Sequence, residues 1–386
     1  MNSKRASQHV RLRQGSAGVP PAVSRVSRDT SGVDRRHSRN HALRHPMSDA
    51  GRAGRQAGRP RHPKTILSAS PRKLTCLSSA VLLKLAALFF AVQLFAACQR
   101  NDSASAITVK SWRTWMLPTD GAVQPTPRSL TTGPRDELAV MDTAGRILIY
   151  DKHGALLRQW KMLDVQFGKP EGIVWLKDDR IVVCDTHYRR LVWFDQEGRV
   201  LKTVGQHGKG RGEFIYPVGI CKDAAENLYV CEYGGNDRVQ VFTRDGEWLR
   251  EFGTPGTGPA QFQRPSGLVW HDGKIFVADS INNRVLIFTD AGKYLGLLGA
   301  GTDGKSTLTF NLPYDITFAP DGNLYVIEYG AGRLSRISLE GRLLGRYGQA
   351  GRGDGEFATP WGVAVDSRMR VLVADTMNRR IVALQL

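Results

Sequence analysis

Pro265–Asp279 reads PSGLVWHDGKIFVAD: a proline opens an apolar run, a polar turn follows, and a second apolar run closes on an acid. The same outline recurs along the chain. Pro127, Pro170, Pro217, Pro265, Pro313 and Pro360 are followed 14 or 15 residues later by Asp142, Asp185, Glu232, Asp279, Glu328 and Asp375. Successive prolines are spaced by 43, 47, 48, 48 and 47 residues. A period of this length marks one supersecondary unit per repeat, which buries its faces only by stacking on its neighbours.

Strands fit these units better than helices. In the fourth copy the short runs GLVW, KIFVAD, RVLIFT and YLGLLG are separated by clusters of Gly, Asn and Asp, the pattern of strands and turns. Runs such as IVVC, LYVC, IFVA, LYVI and VLVA are apolar at nearly every position, as expected of strands covered on both sides. Each unit therefore reads as a four-stranded antiparallel blade, and six of them predict an all-β, six-bladed β-propeller. The last copy supplies only three strands before Leu386. Residues 107–117, ITVKSWRTWML, carry an alternating, aromatic-bearing run suited to a strand. Pairing that run with the last blade would cover an open edge and close the ring.

The turns and second strands carry a family resemblance. VGQHGKGRGEFIYPVGI before and through Pro217, YGQAGRGDGEFATPWGV around Pro360, and the segments DSINNRV and DTMNRRI resemble NHL repeats over residues 127–386. The resemblance implies the propeller fold. For function it implies a class that includes RNA-binding, protein-binding and, in a few cases, catalytic modules.

Charge narrows that class. The formal net charge of +18 is concentrated at the start: residues 1–100 hold 19 Lys and Arg against 3 acids, and residues 101–386 hold 35 against 33. A nearly neutral propeller lacks the basic face that phosphate backbones require, so nucleic acid is not an expected partner. Residues 1–75 contain no Phe, Trp or Tyr and read as a disordered basic segment, with Met47 as an alternative start of translation.

From Pro71 basic residues give way to the apolar run Leu85–Ala97, broken only by Gln93. The run is short for a transmembrane helix and has the layout of an export signal. Its ending, LFAAC, resembles the lipobox of bacterial lipoproteins, with Phe95 where leucine is usual. That resemblance implies lipid attachment at Cys98. The expected organisation is a signal region at 76–98, a polar tether at 99–106 and the propeller at 107–386, in the bacterial cell envelope and facing away from the cytoplasm. An uncleaved membrane anchor, or ordinary cleavage after Ala104–Ala106, is the alternative.

Within the propeller, the acids and the arginines that follow them, Arg146, Arg190, Arg238, Arg284, Arg333 and Arg380, read as structural ties. Function is expected where copies differ, at one end of the ring. The positions after the prolines contribute Arg128, Glu171, Tyr314, Asp315 and Trp361, and the turns after the second strands contribute His187, Tyr188, Tyr233 and Tyr329. Such a mixture of aromatic and charged groups suits a small polar ligand or a loop of a protein partner; a water-filled channel mouth is the plain alternative.

The other function class is a metal-dependent lyase or lactonase-like enzyme with its site on the axis, because gluconolactonase-like and amidating-lyase propellers place metal ligands there. That chemistry needs ligand-type residues at matching offsets in several blades. His153, His187, His207 and His271 fall at offsets of 26, 17, 37 and 6 from their prolines, and no ring forms. Glu171 and Asp315, in opposite blades, are the one pair that a calcium could bridge. No catalytic set, metal site or cofactor is assigned, and Cys184, Cys221 and Cys231 read as buried packing, with a disulfide among them left open.

Overall fold

The computed structural model describes residues 105–299 and 308–386. Six four-stranded antiparallel sheets, with the turns that join them, organise these residues. The fourth blade illustrates the plan, with Pro265–His271 innermost, then Lys274–Asp279, Arg284–Thr289 and Tyr294–Gly299 at the rim. These are the four runs read from the sequence, with the inner strand starting at the proline itself. The inner strands of the other blades are Pro127–Thr132, Gly172–Trp175, Tyr216–Lys222, Pro313–Phe318 and Gly362–Val365.

The core consists of layers between blades. Six clusters of buried side chains each join one blade to the next, including one that packs Leu130, Val140 and Leu148 of the first blade against Leu372, Ala374 and Ile381 of the last. Second strands such as Ile181–Asp185 and Leu324–Glu328 are buried at every position. This is why their sequences do not alternate: both faces meet a neighbouring blade.

Closure uses the segment that the missing strand required. Ser111–Met116 pairs antiparallel with Arg380–Gln385, from Ser111 opposite Gln385 to Met116 opposite Arg380. The expected polar tether ends earlier than residue 106. Ala106 forms a parallel bridge to Arg346, the Ile107 N–H donates to the Arg346 carbonyl at 2.9 Å, and the Ser105 hydroxyl donates to the Leu344 carbonyl at 2.7 Å. The rim strand of the fifth blade has unpaired edge groups, and this stretch of chain satisfies some of them. The export signal, Cys98 and the basic segment lie outside the described residues.

All six acid–arginine ties are formed, at 2.7–2.9 Å between carboxylate and guanidinium. Where the long glycine turn is present, the arginine also reaches its carbonyls. Arg284 donates to Thr257, Gly258 and Gln261, and Arg380 donates to Gly353 and Glu356. Glycine is required in these turns because the backbone must come close to side chains. Gly253 has φ +85°, and a Cβ there would lie 2.2 Å from the Phe262 ring. Cys184, Cys221 and Cys231 are buried free thiols, and burial pushes all three well above their ordinary pKa.

Candidate functional site at the axial mouth

The inner strands surround a cavity of about 220 Å³ along the axis, lined at its start by Arg128, Glu171, Tyr314, Asp315 and Trp361. Glycines let the strands converge. A Cβ on Gly219 would lie 2.3 Å from the Ser266 carbonyl oxygen, and one on Gly267 would lie 2.5 Å from an Asp315 carboxylate oxygen. Because the neighbouring backbone is this close, the residue just before each glycine, at the strand's start, is the first whose side chain can reach across the ring.

Four of the expected residues meet directly there. Arg128 of the first blade donates from Nη2 to Glu171 Oε1 of the second at 2.7 Å. Its guanidinium lies 4.4 Å from the centre of the Trp361 ring of the sixth blade, a cation–π contact. Tyr314 of the fifth blade donates its hydroxyl to Glu171 Oε2 at 3.4 Å and lies 5.3 Å from Trp361 and 5.7 Å from Tyr329, centre to centre. The Nε–H of Arg128 is enclosed and has no acceptor, which typically costs about 1–3 kcal/mol.

Tyr233 and His187 belong to a neighbouring aromatic cluster outside the cavity lining, and Tyr233 borders a separate hollow with Arg264. Tyr216 stacks on Tyr233 at 5.2 Å and meets the His187 ring edge-on at 5.7 Å. Burial holds the His187 imidazole below its ordinary pKa, against the opposing pull of Glu171. Burial also raises the Tyr314 and Tyr233 hydroxyls, and Glu171 adds to both shifts. Tyr188 belongs elsewhere: its hydroxyl accepts the N–H groups of Gln166 at 3.0 Å and Phe167 at 3.2 Å. It secures the connection that enters the second blade.

Asp315 is separate from Glu171. It stands where four other copies have glycine, and its two carboxylate oxygens accept the Ile316 N–H and, across the blade boundary, the Val363 N–H, each at 2.9 Å. It touches the channel but is deep in protein, and burial raises its pKa to about 7. A calcium bridge between Glu171 and Asp315 therefore fails on donor chemistry. Glu171 is committed to Arg128 and Tyr314, Asp315 is committed to backbone, and no group of three His, Cys, Asp or Glu among the described residues could hold a metal. The residues present do not fit an axial metal.

Three mouth residues escaped the sequence reading. Arg264 lies over the Tyr233 ring at 4.7 Å and hydrogen-bonds to the Tyr314 hydroxyl. Tyr216 forms the stack already described, and Arg189 lies 5.9 Å from its ring centre with an enclosed, unpartnered Nε–H of its own. Arg264 and Tyr216 both immediately precede a repeat proline, a position that runs Thr126, Lys169, Tyr216, Arg264, Leu312 and Thr359. Its variability was the available signal.

Comparison with known proteins agrees with the fold. A family model described as SMP-30/Gluconolactonase/LRE-like region matches residues 69–263. Protein brain tumor of Drosophila melanogaster is 28% identical over 144 residues, which is 36% of this chain and 13% of that protein. NHL repeat-containing protein 3 of Homo sapiens is 27% identical over 214 residues, 51% of this chain and 59% of that protein. The chain thus spans less than two thirds of these relatives. The crystal structure of virginiamycin B lyase from Staphylococcus aureus superposes with a TM-score of 0.51 at 16% identity, over 72% of this chain and 99% of that one. At that identity the likeness is one of fold.

Proposed function

The chain belongs to the SMP-30/gluconolactonase/LRE-like family, and from that premise we propose that it is a binding module whose site is the axial mouth. One observation carries the reading. Arg128, Glu171, Tyr314 and Trp361 come from four different blades and occupy positions that the repeat leaves free, yet they converge in one bonded group. Groups that are irregular in sequence and convergent in space indicate recognition more than packing.

The family name also carries a lactonase-like reading, to which the fold similarity with a lyase adds. Against it stands the donor set: Glu171 is neutralised by a guanidinium and Asp315 is spent on backbone. No acid, base and nucleophile stand together at the mouth. Metal titration of the purified protein separates the two readings. A stoichiometric ion whose loss follows Glu171→Ala or Asp315→Ala overturns the binding module; a retained ligand or partner that is lost on Trp361→Ala supports it.

The same proposal places the module in the bacterial envelope, tethered by lipid on Cys98 and facing away from the cytoplasm. The segregation of charge and the LFAAC ending support this. Intact-mass analysis of the membrane fraction tests it, with a lipid-modified chain beginning at Cys98 as the expected result. An unmodified terminus upstream of that residue would refute it.

A further inference from the structure

We infer that the axial mouth takes a small carboxylate carried on a flat apolar ring, an inference that rests on the mouth being a binding site as proposed above. Arg128 is paired with Glu171, Arg189 donates to the His187 carbonyl, and Arg264 hydrogen-bonds to the Tyr314 hydroxyl and feels the charge of Glu171. Each lies over an aromatic ring, at 4.4 Å from Trp361, 5.9 Å from Tyr216 and 4.7 Å from Tyr233. The chain's own cations therefore already occupy the ring faces that would attract a ligand cation. Glu171 is paired with Arg128 at 2.7 Å, so an incoming cation meets no unneutralised acid either.

An incoming anion meets the opposite conditions. The Nε–H groups of Arg128 and Arg189 are enclosed without acceptors, and a guanidinium presents its donors in the fork that matches a carboxylate's two oxygens. A modest turn of the Arg128 side chain, which lines the cavity, gives both partners a charge-assisted hydrogen bond. The burial that raises the Tyr314 and Tyr233 hydroxyls lowers the local dielectric and strengthens that attraction.

Shape sets the rest of the ligand. Trp361 and Tyr314 line the cavity, with Tyr329 packed against Tyr314, and rings offset in this way hold a flat body by edge contacts. The cavity is about 220 Å³. That volume selects a small molecule over a loop of protein.

Isothermal titration of the full chain with benzoate, acetate, benzamide and phenyltrimethylammonium tests the inference. Benzoate should bind at least about tenfold more tightly than each of the other three. Arg128→Gln should weaken it at least about tenfold, and Arg264→Gln, which leaves the Arg128–Glu171 pair intact, about threefold. Tighter binding of the ammonium probe, equal binding of benzamide or acetate, benzoate binding indifferent to both substitutions, or no binding of any probe each overturns it. If it fails while Trp361→Ala still abolishes retention of another ligand or partner, only the ligand class falls; if that retention is also unaffected, the mouth falls as a site too.

Discussion

Arg284 and Arg128 each meet a carboxylate, at 2.9 and 2.7 Å, in two regions of the same ring. Arg284 is tied within its own blade to Asp279 and gives its remaining donors to the carbonyls of Thr257, Gly258 and Gln261. Asp279 is equally saturated, by Asn282 and the Gln263 N–H. Arg128 instead joins two blades, lies on Trp361 and keeps an unpartnered Nε–H. The chemical pair is the same, so distance does not distinguish framework from site. Between these two pairs the difference is whether the surrounding groups consume every donor.

The comparison breaks most visibly if the framework pair is removed. Asp279→Asn combined with Arg284→Met leaves three turn carbonyls without a donor and should cost about 3–5 kcal/mol. Urea unfolding measures it, and a loss below about 1 kcal/mol would erase the distinction drawn here.

Asp315 gives the next effect. Its pKa is raised from 3.8 to about 7 in the folded protein, so the folded state holds the proton more tightly than the unfolded chain. The stability this contributes is fully present below about pH 4 and is lost as pH rises through 7, by about 4 kcal/mol. Asp315→Asn should flatten that decline in a series of unfolding curves from pH 4 to 8. An unchanged slope would show that the group titrates normally.

Removing the mouth pair as a unit should matter less to folding. Arg128→Met with Glu171→Gln eliminates both charges and should change stability by no more than about 1 kcal/mol, because paired loss of a buried ion pair is often close to neutral. Ligand retention at the mouth should nevertheless disappear, as read by titration. A large loss of stability would move this pair into the framework class. The smallest effect concerns His187: Glu171→Gln alone should lower its already depressed pKa further, since Glu171 is the group pulling it up. Proton NMR of the imidazole follows it, and a rise would place Glu171 too far away to act.

The blades were legible because they repeat. Six prolines and six acids at steady spacing marked the strands, and the incomplete last copy pointed to residues 107–117 as the partner of Arg380–Gln385. The variable positions identified Arg128, Glu171, Tyr314 and Trp361 as residues that could converge. They did not reveal that Tyr188 turns away to bind the connection at Gln166 and Phe167, or that Arg264 and Tyr216 join from the other side of the proline. Side-chain direction at these positions depends on which neighbouring groups are left to bond, and those lie from 21 residues away for Tyr188 to 43 and more for Arg128.

By itself the sequence determined the number of blades, the internal ties and the variable positions at one end of the ring, because each depends on spacing within one repeat or on its recurrence. Only the tertiary structure decided which charges are free. Asp315 looks like a ligand-type acid until the Val363 N–H of the next blade claims it, and Glu171 looks available until Arg128 arrives from the blade before. Hydrogen-bond saturation belongs to the closed ring, where backbone and side chains from different blades compete at about 3 Å for the same few donors and acceptors.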